Sequence, residues 1–339
     1  MKRLFPKNEY LARLNEQLHG AWHELTVGAP VARTVPVEYS GELPKGLSFL
    51  IGTSQGLLVW SDDELHKLLP GPIYGVTRHG QNHYALQRLG KSSRIIRFSL
   101  ADDADGLPAV VSLETFIHGL SNGVHQIDFI GDVLYVTDTY HNALQLHRVD
   151  GSFVDRIYPA GKLTRDDIFT PCYRHYNSVY WDGERILLVA HNNSLKAGRP
   201  SLIQFVGHSE PQTIIDEWED IGLCAHNVLR KEGVTFWCDS LNSYLYKDKT
   251  VVAEMDMHLT RGLAMDDRHL VLGGSAFAFG SKRLKADGKI YVLDSNNFTN
   301  LGELNLKAVG AVSEIRMLGH DYGLSNCNLP DRVAEFLPR

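Results

Sequence analysis

Between Gly123 and Val149 the chain alternates apolar and polar residues in GVHQIDFIGDVLYVTDTYHNALQLHRV, with Ile127, Phe129, Leu134, Val136, Leu144 and Leu146 in the apolar phase. A period of two, broken at Gly131-Asp132 and again at Tyr140-His141-Asn142, predicts three short antiparallel strands. The same hairpin is written a second time, 101 residues later, as AHNVLRKEGVTFWCDSLNSYLYK. There His226 falls on His125, Asn227 on Gln126, Val228 on Ile127, Asp239 on Asp138 and Leu245 on Leu144.

The pattern extends in both directions. Residues 72–117 give four strand-like runs broken at Gly80-Gln81-Asn82 and Gly90-Lys91-Ser92, and residues 175–217 give another set, with Leu187 and Val189 in the places of Leu134 and Val136. Residues 260–306 repeat it once more, through TRGLAMDDRHLVLGGS and KIYVLDS. VSEIRML at 312–318 reads as a first strand without partners after it, whereas the three runs at 47–69 lack a first strand before them. Six units of about four strands, spaced roughly 35 to 52 residues apart, predict an all-β, six-bladed β-propeller. Its terminal blade would be closed by one C-terminal strand on three N-terminal ones. Such closure is needed because each blade buries its faces only against neighbours.

Outside this array, Leu11, Leu14 and Leu18 share one helical face in residues 8–20, so a short amphipathic helix is expected. The domain reading is an N-terminal helical or extended segment at 1–40 packing on the propeller, a single propeller at 41–330, and a tail at 331–339.

Composition narrows the function. The chain has 339 residues, 43% of them hydrophobic, and a net charge of −6 without a Lys/Arg block. Nucleic acid and anionic membrane are therefore disfavoured as partners, and a small molecule is expected. With no signal-peptide run and no stretch of about 18 apolar residues, a cytoplasmic location is expected. Cys172, Cys224, Cys238 and Cys327 are then thiols. No GxSxG elbow, phosphate loop or dinucleotide fingerprint occurs in a supporting context, so no nucleotide cofactor is expected.

YVTDTYHNALQLHRVDG resembles the NHL repeat, and the six-unit layout is similar to the superfamily of NHL propellers, SMP-30-like lactonases, strictosidine-synthase-like proteins and peptidyl-hydroxyglycine lyases. The resemblance implies a site at one end of a central channel and leaves hydrolases, lyases and binding scaffolds all open. It departs from the SMP-30-like enzymes in lacking their acidic calcium set.

In a propeller the start of each first strand and the end of each second strand meet at one channel mouth. The first-strand positions are Ser313, approximately Gly75, His125, Asn177, His226 and Arg261; the second-strand ends are Thr53, approximately Arg88, Asp138, His191, Asp239 and Gly274. His175, two residues before Asn177, shares its face. His125, His175 and His226 are candidate ligands for zinc, iron, copper or manganese. The resemblance to the lyases implies the same three.

His125, His226, His191, Asp138 and Asp239 are the candidate catalytic groups, the aspartates as supports for imidazole N–H groups or as bases. Arg261, Arg88 and Tyr140 are the candidate substrate-binding residues. The structural alternatives are that His125 and His226 donate to carbonyls, that both aspartates cap turns, and that Arg261 pairs with Glu314 or a nearby aspartate. The reading is a lyase or hydrolase acting on a small polar or anionic metabolite; the competing one is a non-catalytic NHL-like scaffold.

Overall fold

The computed structural model describes residues 33–104, 106–163, 170, 172–207, 213–278 and 280–318. They form six sheets arranged as the blades of a propeller. From the innermost strand outwards, blade one is Val312–Met317, Phe49–Thr53, Gly56–Ser61 and Glu64–Pro70. Blade two is Ile73–His79, Asn82–Leu89, Ser92–Asp102 and Pro108–Ser121. Blade three runs Val124–Ile130, Val133–Asp138, Ala143–Arg148 and Phe153–Ile157, and blade four Tyr176–Trp181, Arg185–Ala190, Leu202–Gly207 and Ile214–Trp218. His226–Lys231, Val234–Asp239, Tyr244–Lys247 and Thr250–Glu254 make blade five; Leu263–Met265, His269–Ser275, Gly288–Asp294 and Asn300–Leu306 make blade six.

The closure is the one the unpaired runs require. Val312–Met317 pairs antiparallel with Phe49–Thr53, so one blade is built from both ends of the array. The expected helix at residues 8–20 and the tail at 331–339 lie outside the described residues. The described part of the N-terminal segment is extended: Arg33–Thr34 pairs with the outer strand of blade one, and Glu38–Gly41 with the outer strand of blade six. Gly41 has a positive φ of 84°, and a Cβ there would meet the Leu301 carbonyl oxygen at 2.6 Å, so the crossing backbone needs glycine.

Apolar residues of alternating strands fill the spaces between blades rather than one central core. Trp60, Phe49, Val292 and Ile315 pack at the junction of blades one and six. Leu144, Tyr176, Val179 and Leu188 do so between blades three and four. With Phe49 and Trp60 almost fully covered, truncation of either to alanine costs about 3–5 kcal/mol.

The inner strands share a local feature that aims their side chains at the axis. In blades one, two, four and five the pairing register slips by one residue, leaving Ser313, Tyr74, Asn177 and Asn227 as the extra, unpaired positions. Blade three slips across His125 and Gln126. In blade six Arg261 N–H donates to Gly273 O while Gly273 N–H donates to Gly262 O, so two residues again face one. Such bulges redirect a side chain out of the pleat. Here they turn a ring of polar residues into the channel.

Candidate functional site at the channel mouth

His125 and His226 occupy equivalent positions in equivalent surroundings. His125 Nδ1–H donates to Gly123 O at 2.8 Å and lies 2.9 Å from Thr139 Oγ1, which donates onward to Tyr176 O. His226 Nδ1–H donates to Cys224 O at 2.6 Å and lies 2.9 Å from Ser240 Oγ, which donates onward to Thr260 O. A carbonyl only accepts, so both rings carry their proton on Nδ1 and present an Nε2 lone pair. His226 Nε2 is buried without a hydrogen-bond partner. The donation to carbonyls expected as the structural alternative is present on one nitrogen, and it leaves the other available.

Four imidazoles form an arc. Ring centroids are 5.2 Å apart for His125 and His175, 4.6 Å for His175 and His191, and 5.5 Å for His191 and His226. His175 adopts a φ of 55°, which lifts its ring out of the strand, and its Nδ1 is 3.2 Å from the Tyr173 hydroxyl. The rings follow one another in the order His125, His175, His191 and His226, so His191 stands beside the three expected as metal ligands. Among the described residues no three His, Cys, Asp or Glu side chains are grouped to hold a metal ion.

Asp138 and Asp239 face away from the histidines. Asp138 accepts from Gln145 Nε2 at 2.7 Å, lies 2.8 Å from His141 Nδ1, and is 3.4 Å from the Arg156 guanidinium. Asp239 accepts from Leu223 N and Asn242 Nδ2. Asp138 is thus held by side chains of its own blade, His141 among them, and Asp239 by the segment entering blade five and by Asn242. Neither is hydrogen-bonded to the four imidazoles of the arc.

Three arginines complete the mouth. The Arg88 guanidinium stacks 3.6 Å above the Tyr74 ring and donates to Val124 O. Arg261 lines the cavity, with its buried Nε unbonded. Arg283 comes from the short 3-10 helix Gly280–Lys285 of blade six. None of the three forms an ion pair with a carboxylate among the described residues, and the expected Arg261–Glu314 pair does not form: the cation nearest Glu314 is Arg316, at 3.7 Å. Tyr140 packs its ring on Gly123 and lies in the electrostatic field of Arg88.

This imbalance sets the protonation states. Burial and then the charge of Arg88 hold His125 well below its ordinary value; burial and then Arg261 do the same for His226. His191 is lowered by burial and by His175, and His175 falls to about 3 through burial, Arg261 and Arg88. All four are neutral at pH 7. Arg261 is pushed down to about 9 by burial and by Arg283, and stays charged at neutral pH. Burial works to raise the Tyr74 phenol, yet Arg88, Arg283 and Arg261 together bring it below its ordinary value.

The cavity floor is a carboxyl group. Gln126 Nε2 donates to Glu314 Oε2 at 2.7 Å and Asn227 Nδ2 donates to Oε1 at 3.2 Å. Burial raises Glu314 to about 7, against the opposing charge of Arg316. Tyr74, Arg283, Gln126 and Glu314 were not among the site residues expected from sequence. Their common signal is position, at or beside the start of an inner strand or facing it across the seam between blades.

No protein-family profile and no curated protein matches the chain. Solved structures match in fold. A propeller in the nidogen/laminin complex is 12% identical and covers 83% of this chain and 100% of its own, with a TM-score of 0.56. A 6-phosphogluconolactonase-like protein of Bacteroides uniformis is 12% identical, covering 78% of this chain and 84% of its own at a TM-score of 0.45. The PQQ-bound aldose sugar dehydrogenase of Streptomyces coelicolor is 14% identical, covering 82% and 99% at a TM-score of 0.38. The class these observations define is the six-bladed β-propeller. No helix among the described residues is long and apolar enough to cross a membrane.

Proposed function

We propose that this propeller is an enzyme of the lyase or hydrolase type that binds a small anionic metabolite at the channel mouth. One observation carries the reading: Arg88, Arg261 and Arg283 gather around Tyr74 without a carboxylate counter-ion among the described residues. Part-buried cations left unpaired carry a desolvation cost, and an anionic ligand relieves that cost on binding. The paired hairpins that begin at Gly123 and Ala225 support placing the chain with the NHL-like and SMP-30-like propellers.

The chemistry follows from the tautomers. Arg261 and Arg88 hold the anion, and the Nε2 lone pairs of His125 and His226 face the same cavity. Either nitrogen takes a proton from a carbon next to the held carboxylate, with a group leaving the adjacent carbon as the double bond forms, in a lyase step, or from a water that adds to a carbonyl and displaces its leaving group, which takes up that proton, in a hydrolase step. Arg261 then stabilises the negative charge that develops on oxygen. A bound anion offsets the guanidinium charges that keep the imidazoles neutral, so occupancy itself makes them better bases.

The test is a calorimetric screen of small carboxylates, sugar acids and phosphate esters against the wild type and Arg261→Gln, with NMR to follow turnover of each compound that binds. Anion binding that weakens at least tenfold in Arg261→Gln, with conversion lost in His226→Asn, supports the proposal. Absence of anion binding to the wild type overturns it. Binding without conversion of any compound would leave a scaffold and remove the enzymatic half.

A further inference from the structure

The open space at the mouth is divided. One lobe is bounded by His125, His226, Asn177, Arg261 and the Glu314 floor. A second lies across the junction of blades six and one and is bounded by Ser54, Ser275, Ser313 and Arg283. Tyr74, Arg261 and Ser313 belong to both lobes, so they form the partition rather than an outer wall. The first lobe is rich in neutral imidazoles and amides. The second holds hydroxyls and, besides the shared Arg261, the Arg283 guanidinium.

The second lobe is built from fixed parts. Ser275 Oγ accepts from Val312 N at 2.8 Å, which leaves its hydroxyl hydrogen available to donate. Ser313, the bulged residue of blade one, makes no hydrogen bond through its side chain among the described residues and is 9% exposed. Arg283 is held at both ends of its peptide unit's surroundings: its Nε donates to Ala278 O at 3.0 Å and its carbonyl accepts from Ala311 N at 3.0 Å. The segment carrying it is tied to blade one through Gln55, which donates to Leu284 O, and through Gly310, whose N–H donates to Ala286 O. A guanidinium anchored in this way loses less freedom when it binds an oxyanion.

We propose that the second lobe is a separate anion subsite, so that the ligand carries two anionic groups, one on each side of the Tyr74–Arg261 partition. The inference rests on the anion-binding reading above and sharpens it to a substrate class: a short dicarboxylate or a phosphorylated carboxylic acid. Arg261 and Ser313, in the partition, can reach both groups, while Arg283 with Ser275 serves the second alone. The tetrahedral or planar oxyanion accepts from the guanidinium and from two hydroxyls, which together supply the donors such a group needs.

The experiment titrates butanoate, succinate, glutarate and adipate, and separately inorganic phosphate, into the wild type, Arg283→Gln and Ser313→Ala, with circular dichroism to establish that each variant is folded. The expected result is that one of the dicarboxylates binds at least tenfold tighter than butanoate, and that Arg283→Gln removes this advantage while butanoate affinity changes less than twofold. Phosphate is expected to compete with the second carboxylate and to lose affinity in Arg283→Gln. Equal binding of butanoate and all three dicarboxylates, or a dicarboxylate advantage that survives in Arg283→Gln, overturns the second subsite and leaves the first intact. Failure of butanoate and every dicarboxylate to bind would instead overturn the anion reading on which it rests.

Discussion

The guanidinium of Arg88 lies flat over the ring of Tyr74, 3.6 Å from its centroid. A cation stacked on a phenol, with two more arginines nearby, favours the phenolate. Ultraviolet titration is therefore expected to show one tyrosine ionising below the bulk of the fourteen in the chain. That early phase should vanish in Tyr74→Phe and move to higher pH when an anion is bound. An unchanged titration curve in Tyr74→Phe would show that the arginines do not govern this phenol.

Stability should fall on mild acidification. His125, His175, His191 and His226 are lowered in the folded state, so their contribution is complete above the unfolded value near 6.5 and is lost as pH falls towards their folded values. Each adds a slope of about 1.4 kcal/mol per pH unit over that range. Glu314, raised to about 7, acts in the opposite sense: its contribution is greatest below its unfolded value of 4.5 and is lost as pH rises through 7. Urea midpoints measured from pH 7.5 to 5 should therefore decline in the wild type, and less steeply in His226→Asn. A flat profile would contradict the neutral arc.

Asp138→Ala and Asp239→Ala should lower stability without altering anion affinity. Asp138→Ala removes the acceptor of Gln145 and His141, and Asp239→Ala that of Leu223 N and Asn242, at a cost of about 1–3 kcal/mol each, and neither aspartate is bonded to the four imidazoles of the arc. Chemical denaturation and calorimetry on the same samples separate the two effects. A tenfold loss of affinity in either folded variant would return the aspartates to the site.

Glu314→Ala removes the acceptor shared by Gln126 and Asn227, which come from different blades. A loss of about 1–3 kcal/mol is expected from the stranded amide donors. Restoration of most of it in Glu314→Gln would show that hydrogen bonding, rather than charge, is what the floor supplies.

Gly262→Ala should be among the most damaging small substitutions. Its φ is +78°, and a Cβ would meet Ile315 Cγ1 at 2.7 Å and the Glu314 backbone at 3.0 Å. A positive φ and a backbone contact cannot both be relieved by a side-chain shift, so a drop in melting temperature of several degrees is expected. Arg261, the preceding residue, should lose its alignment, and anion affinity with it.

The repeat was legible because a period of two in four strands, recurring six times, leaves few alternative folds, and because the run at 312–318 had no partners of its own. The equivalence of His125 and His226 was legible for the same reason, and it extends to Thr139 and Ser240 beneath them. What pattern could not supply was the bulge. One extra residue per inner strand shifts which side chain enters the channel, so the blade-two position falls on Tyr74 rather than Gly75. In blade four the extra residue is Asn177 itself, and His175 reaches the site from just before the strand. Arg283 sits on a short 3-10 turn with no periodicity to read, and the outward turn of Asp138 and Asp239 depends on loop donors that spacing does not reveal.

The N-terminal strands at Arg33–Thr34 and Glu38–Gly41 lie on the outer edges of blades one and six, and Arg33–Thr34 is at the opposite edge of blade one from Val312–Met317. The ring is thus latched twice, once near its hub and once at its rim. Breaking either latch alone leaves the other holding the two ends of the array together, so reclosure competes with escape. The rim strands should accordingly govern how long the molecule stays closed more than how stable it is at equilibrium, and weakening them should shorten its lifetime in denaturant.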